Sequence, residues 1–209
     1  MLAASLAAAL TARGERVAAY KPVVTGLDDP PDPVWAPDHE LLAAATGQAP
    51  EAVAPLRFGP AVSPHLAAEL AGEVVEAGAV EAAAAAAGRD ADALVVEGVG
   101  GLLVPLAPGY AVRDLAVALG LPLVVAARPG LGTINHTLLT LEAAQGAGLH
   151  VAGVVLTPWP DAPSRMEESN RRTIAELGAV AVTTLRTLRD AAPSTLAAAG
   201  TRLPLETWL

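Results

Sequence analysis

Ala93-Leu94-Val95-Val96-Glu97-Gly98-Val99-Gly100-Gly101 decides the fold. Four apolar residues in a row, without the alternation of a half-exposed strand, suit a parallel strand covered on both faces. A carboxylate ends the run, and three of the next four residues are glycine. Leu123-Val124-Val125 is a second such run, and helix-period patterns separate the runs. The spacing predicts helices at 2–13, 38–46, 64–71, 73–87, 112–119, 133–147 and 164–177. Strands are predicted at 16–20, 93–97, 122–127, 151–156 and 179–184. This alternation describes an α/β chain with a doubly wound, mostly parallel sheet and helices on both faces. Ligands of such sheets bind at the carboxyl ends of the strands, where Lys21, Glu97 and Thr157 all fall.

The 209 residues read as a single domain spanning 1–209, with no linker. Hydrophobic residues are 53% and aromatics only 3%, so close packing of alanine-rich helices is expected over a bulky aromatic core. The net charge of -9 argues against nucleic acid as a partner, because phosphate-backbone binding needs clustered Lys and Arg. An acidic enzyme that handles a nucleotide would instead need a divalent cation. Cysteine is absent, which rules out disulfides, thiol catalysis and thiolate metal sites. None of the four histidines (39, 65, 136, 150) has zinc-type spacing. The apolar stretch at 1–10 lacks the preceding positive charge of an export signal, and Leu2, Leu6 and Leu10 recur at helical spacing. No apolar run approaches the roughly 20 residues of a membrane span, and a cytoplasmic location is expected.

The chain holds twelve arginines and one lysine, Lys21, at the turn after an apolar strand in Tyr20-Lys21-Pro22-Val23-Val24-Thr25-Gly26. A compact ammonium on a flexible stem differs from a planar guanidinium fork, and suits a crowded site where negative charge builds up. Chance survival of one Lys at a strand end is the plainer explanation, and the neighbouring motifs decide between them. Glu97 supplies a hard oxygen ligand suited to magnesium, and the glycines after it let backbone N–H groups approach phosphate. An ordinary βα turn with a solvated Glu is the alternative. Asp38, in Pro37-Asp38-His39, reads as the N-cap of a helix, although beside Glu97 it would complete a magnesium site. Ser63-Pro64-His65 likewise reads as an N-cap with Pro at the first helical position, and its hydroxyl is free to reach a substrate. Arg128-Pro129-Gly130-Leu131-Gly132-Thr133-Ile134-Asn135-His136 turns from strand to helix, so it is either an anion receptor or a plain loop capped by Thr133. Leu156-Thr157-Pro158-Trp159-Pro160 forms a stiff turn in which Trp159 covers a nucleotide base or plugs the loop.

Lys-Pro-Val-x-Thr-Gly, Ser-Pro-His, Val-Glu-Gly-x-Gly-Gly and Gly-x-Ile-Asn-His, in this order and running in register to about residue 190, resemble the dethiobiotin synthetase family. The resemblance implies a P-loop NTPase-like fold. It also implies ATP- and magnesium-dependent closure of a cyclic urea from 7,8-diaminononanoate and carbon dioxide, in biotin biosynthesis. Lys21 would then be catalytic, with Thr25 and Ser63 on substrate. Asp38 and Glu97 would hold magnesium, and Glu97, Gly98, Val99 and Gly100 would line the phosphates. Gly132, Thr133, Ile134 and Asn135 would receive the substrate carboxylate from the neighbouring subunit of a homodimer. Thr157 and Pro158 stand where many relatives carry Asn-Asp against adenine, a departure that bears on base selectivity. Two other readings are a nucleotide-dependent amidoligase of corrinoid synthesis and a non-catalytic dimerisation partner.

The family pattern begins with a strand and a Gly-x-x-x-x-Gly-Lys-Thr loop that holds the triphosphate, and these 209 residues contain neither. The expectation is an N-terminally truncated domain whose written start lies inside a longer reading frame. As written, the chain is expected to show weak ATP turnover and poor solubility, because the lost strand would be central.

Overall fold

Apolar runs form the strands and alanine-rich stretches the helices in the computed structural model, which describes residues 1–209. In chain order the elements are α1 (Leu2–Ala12), β1 (Val17–Tyr20), β2 (Val23–Val24), α2 (Asp38–Thr46), α3 (Pro50–Val53), β3 (Leu56–Arg57) and α4 (Pro64–Ala71). Next come α5 (Ala77–Gly88), β4 (Ala93–Val96), β5 (Pro105–Ala107), β6 (Tyr110–Ala111), α6 (Val112–Leu119), β7 (Leu123–Ala127) and α7 (Thr133–Gly146). The chain finishes with β8 (Val151–Trp159), α8 (Arg165–Gly178), β9 (Val182–Arg186), α9 (Pro193–Gly200) and a 3-10 turn at Leu205–Thr207.

Strand side chains alternate between two helical layers, as the period of two requires. Val17 and Ala19 of β1 and Val155 of β8 join the core built with α1, α2 and α9. Tyr20 points the other way, into a core with α4, α5 and α6. Val154 and Leu156 of β8 pack with Leu141 of α7 and Ile174 of α8. Helices therefore cover both faces, and the doubly wound α/β arrangement is observed. All pairings are parallel except the β5–β6 hairpin.

The main strands form two ladders, β1–β4 and β7–β8–β9. β4 and β7 each pair on one side only. Val95 of β4 and Val124 of β7 nonetheless pack on the same core beneath α1. The outer edge of β1 is closed by a side chain. Gln48 accepts a hydrogen bond from the Ala19 N–H at 2.7 Å and donates to the Ala19 carbonyl at 3.4 Å, as a neighbouring strand would.

Several boundaries differ from expectation. The helix predicted from 73 begins at Ala77, because Gly72 ends α4 at φ 68 and the next residues connect the two helices. β4 ends at Val96, leaving Glu97 one residue beyond it. β8 continues through Thr157 and Pro158 to Trp159, where a turn was expected. β9 begins at Val182 rather than 179, since Ala179 is the left-handed C-cap of α8. No helix is long and apolar enough to cross a membrane.

α1 and α9 approach most closely at Gly200. A Cβ there would stand 2.0 Å from the Ser5 carbonyl oxygen and 2.7 Å from the Ala9 Cβ. Backbone cannot yield as a flexible side chain can. Gly200→Ala is therefore expected to cost about 3 kcal/mol through overpacking, read as a lower urea midpoint with an unchanged slope. An unchanged midpoint would contradict this packing.

Candidate active site

Parallel register brings the decisive residues together. Tyr20 of β1 is paired with Val96 of β4, so the next residue on each strand is Lys21 and Glu97. The Glu97 N–H continues the ladder by donating to the Tyr20 carbonyl at 2.9 Å, and the Lys21 N–H donates to Val53 at 2.9 Å. Both side chains therefore leave the sheet at its carboxyl rim. The Lys21 Nζ lies 2.8 Å from Glu97 Oε1 and 2.7 Å from Asp38 Oδ2. It also donates to the Gly98 carbonyl at 3.3 Å.

Lys21 is only 4% exposed. Burial works against its charge, but Glu97 and Asp38 outweigh burial, and its pKa lies above the ordinary lysine value. Asp38 shows the mirror effect: partial burial opposes ionisation, and the Lys21 ammonium overcomes it to lower the carboxyl pKa. Both shifts favour the charged forms, so Lys21 is held as the ammonium and Asp38 as the carboxylate.

Asp38 departs from its expected role. Pro37 is the N-cap of α2, Asp38 is the first helical residue, and no side chain caps the helix. Its carboxylate turns to Lys21 instead. Ser63 does hold the N-cap position of α4, but its hydroxyl makes no capping bond. The Ser63 carbonyl accepts the first helical bond, from the Ala67 N–H at 2.9 Å. Thr25 follows β2, and the Gly26 N–H donates to the Pro60 carbonyl at 3.1 Å, which draws this turn against the segment leading to Ser63.

Gly100 adopts φ +66, a conformation that favours glycine. A Cβ on Gly98 would meet Val112 at 2.9 Å, so that turn lies close against the start of α6. Val99 packs partly against the core below.

Gly132, Thr133, Ile134 and Asn135 open α7, away from direct contact with the lysine cluster. Gly132, at φ 90, is the N-cap, in place of the expected Thr133. Thr133 is buried, with its hydroxyl 3.4 Å from that of Thr137. Ile134 packs on the core, and Asn135 is exposed. Asn170 of α8 holds the approach to this turn, its amide donating to the Pro129 carbonyl at 2.9 Å and to Gly130 at 3.3 Å.

Thr157 and Pro158 lie in the last part of β8, just before Trp159 ends it. The buried Thr157 hydroxyl has no partner within the chain. Trp159 is 7% exposed and packs with Leu156 and Ile174, so it plugs the core and does not cover a base.

Magnesium suits the oxygen donors of Asp38 and Glu97. No group of three or more His, Asp or Glu side chains converges anywhere in the protein. A divalent cation here would be completed by water and phosphate oxygens, as is usual for magnesium with a nucleotide.

Residues 1–185 match a family model described as an AAA domain. A protein of Anaeromyxobacter dehalogenans (strain 2CP-1 / ATCC BAA-258), named ATP-dependent dethiobiotin synthetase BioD, is 45% identical over 183 residues, covering 84% of this chain and 80% of the relative. The protein of that name from Haloferax mediterranei is 38% identical over 208 residues, covering 99% of this chain and 86% of the relative. Its counterpart in Bacillus subtilis (strain 168) is 34% identical over 185 residues, covering 87% and 78%. With the rim geometry of Lys21, Asp38 and Glu97, these matches place the chain in the ATP-dependent dethiobiotin synthetase family.

Proposed function

We propose that the protein closes the cyclic urea of dethiobiotin from 7,8-diaminononanoate, carbon dioxide and ATP, and that Lys21 is its catalytic residue. The observation that carries this reading is the convergence of Asp38 and Glu97 on the Lys21 ammonium at 2.7 and 2.8 Å. In the overall reaction one substrate amine and carbon dioxide form a carbamate, ATP phosphorylates a carbamate oxygen, and the second amine displaces phosphate as the ring closes. Phosphoryl transfer of this kind depends mostly on positioning and on neutralising charge.

Each residue has a role in keeping with its position. Lys21 presents a compact positive charge to the carbamate and to the transferring phosphoryl group. Asp38 and Glu97 would hold magnesium, which when bound neutralises phosphate charge. The backbone of Gly98, Val99 and Gly100 lines the phosphates. Thr25 and the uncapped hydroxyl of Ser63 meet the diamine. Gly132, Thr133, Ile134 and Asn135 receive the substrate carboxylate at the positive end of α7, across a homodimer interface. Leu131, 94% exposed beside this turn, accords with such an interface. Thr157 and Pro158 meet the nucleobase, with Pro158 the exposed residue of the two.

Lys21→Met is expected to lower kcat for dethiobiotin formation by about a thousandfold, as loss of a charge-stabilising donor does. Lys21→Arg should recover little of it, because the guanidinium fork is larger and planar. Near wild-type kcat in the folded Met variant would overturn the role of Lys21.

The direction of the two shifts sets a pH window. Lys21 has a raised pKa, so its contribution is complete below the ordinary value of about 10.4 and is lost as pH rises through the raised one. Asp38 has a lowered pKa, so its contribution is complete above about 3.9 and is lost as pH falls through the lowered one. Because Lys21 is the sole lysine, selective labelling gives one side-chain NMR signal to follow. That signal should show no titration step between about pH 5 and 10. A step near neutrality would contradict a lysine held between two carboxylates.

A further inference from the structure

We propose that Lys21 is a placeholder cation. In the metal-free protein its ammonium occupies the point between Asp38 and Glu97 that a divalent cation takes, so ammonium and metal exchange on the same two carboxylates. The inference rests on the assignment of Asp38 and Glu97 to magnesium made above, and adds an order of events to it.

Three oxygens surround the ammonium: Asp38 Oδ2 at 2.7 Å, Glu97 Oε1 at 2.8 Å and the Gly98 carbonyl at 3.3 Å. This is the hard, all-oxygen environment that magnesium prefers. With two carboxylates and one ammonium the cluster carries one excess negative charge, and that charge attracts a further cation. A divalent ion added beside the lysine would be repelled by the buried ammonium a few ångström away, although the Asp38 carboxylate is half exposed. Nowhere in the protein do three or more acidic or histidine side chains converge to offer the metal a fuller protein site. The lysine is able to yield, because its four-carbon stem is flexible and its ammonium is a point charge without fixed geometry.

Exchange has a functional consequence. While the ammonium is held by both carboxylates it is neutralised and turned away from any phosphate. Once a metal takes the carboxylates, the ammonium is free for the phosphate oxygens that arrive with the nucleotide. Metal binding and the arming of Lys21 become one event. Metal alone, with no phosphate to receive the ammonium, should bind weakly to the wild-type protein.

Manganese alone is the probe, with binding followed by calorimetry and by its EPR signal. Lys21→Met should bind manganese at least about tenfold more tightly than wild type, and Lys21→Met/Glu97→Gln should lose the gain. A folded Lys21→Met variant that binds manganese no more tightly than wild type overturns the proposal. Wild type gives a second test should Lys21→Met not fold. Its single labelled lysine signal should shift as magnesium is added together with ATP, following the binding curve. A signal that stays fixed while magnesium and ATP saturate the site overturns the exchange and leaves the carboxylate assignment standing. Metal binding that is unchanged in both Asp38→Asn and Glu97→Gln overturns that assignment, and the exchange with it.

Discussion

An ammonium group almost wholly removed from water keeps its charge only if anions are brought to it, and this constraint organises the structure. Lys21 is 4% exposed, and two carboxylates from distant parts of the chain meet it. Glu97 arrives through strand register, one residue past the Tyr20–Val96 pair. Asp38 arrives through the first turn of α2, which packs against α1. Removing one partner from such a cluster leaves uncompensated charge at a site built from two strands and a helix. The cost therefore falls on the scaffold as well as on the chemistry.

The scaffold is arranged to hold that rim. α1 and α9 cross at Gly200 with no room for a methyl group, and together they floor one face of both ladders. Gln48 closes the outer edge of β1 with its side-chain amide, and so fixes the strand that ends in Lys21. Arg16 and Asp92 brace the other end of the β1–β4 pair with contacts of 2.6 to 3.1 Å. β4 and β7 each pair on one side only, and both pack over the same core. Farther along the rim, Asn170 fixes the loop before α7 by binding its carbonyls.

The sheet and the lysine–glutamate pair were legible in the sequence because buried parallel strands are written as continuous apolar runs, and the residue after each run must lie at the rim. Asp38 was ambiguous, since a residue at a helix start reads the same whether it caps the helix or turns its carboxylate elsewhere, and the structure shows the ion pair to Lys21 in place of a cap. Trp159 was ambiguous until β8 proved to run through it and turn it into the core. Gln48 and Asn170 left no readable signal. Their partners are backbone groups 29 and about 40 residues away, and no local pattern encodes such contacts. The predicted helix 73–87 is shorter in the structure, because residues 73–76 connect α4, ended by Gly72, to α5 while sharing its periodicity. α9 went unread because its alanines carry little amphipathic pattern, although it packs closely on α1.

The central claim is that Lys21 and Glu97 act as one electrostatic unit. A double-mutant cycle with Lys21→Met and Glu97→Gln, read from urea unfolding at neutral pH, measures that unit directly. The expected coupling is about 2 kcal/mol, within the range found for residues in one ion-pair network. Additivity within about 0.4 kcal/mol, the behaviour of distant and independent sites, would contradict the account.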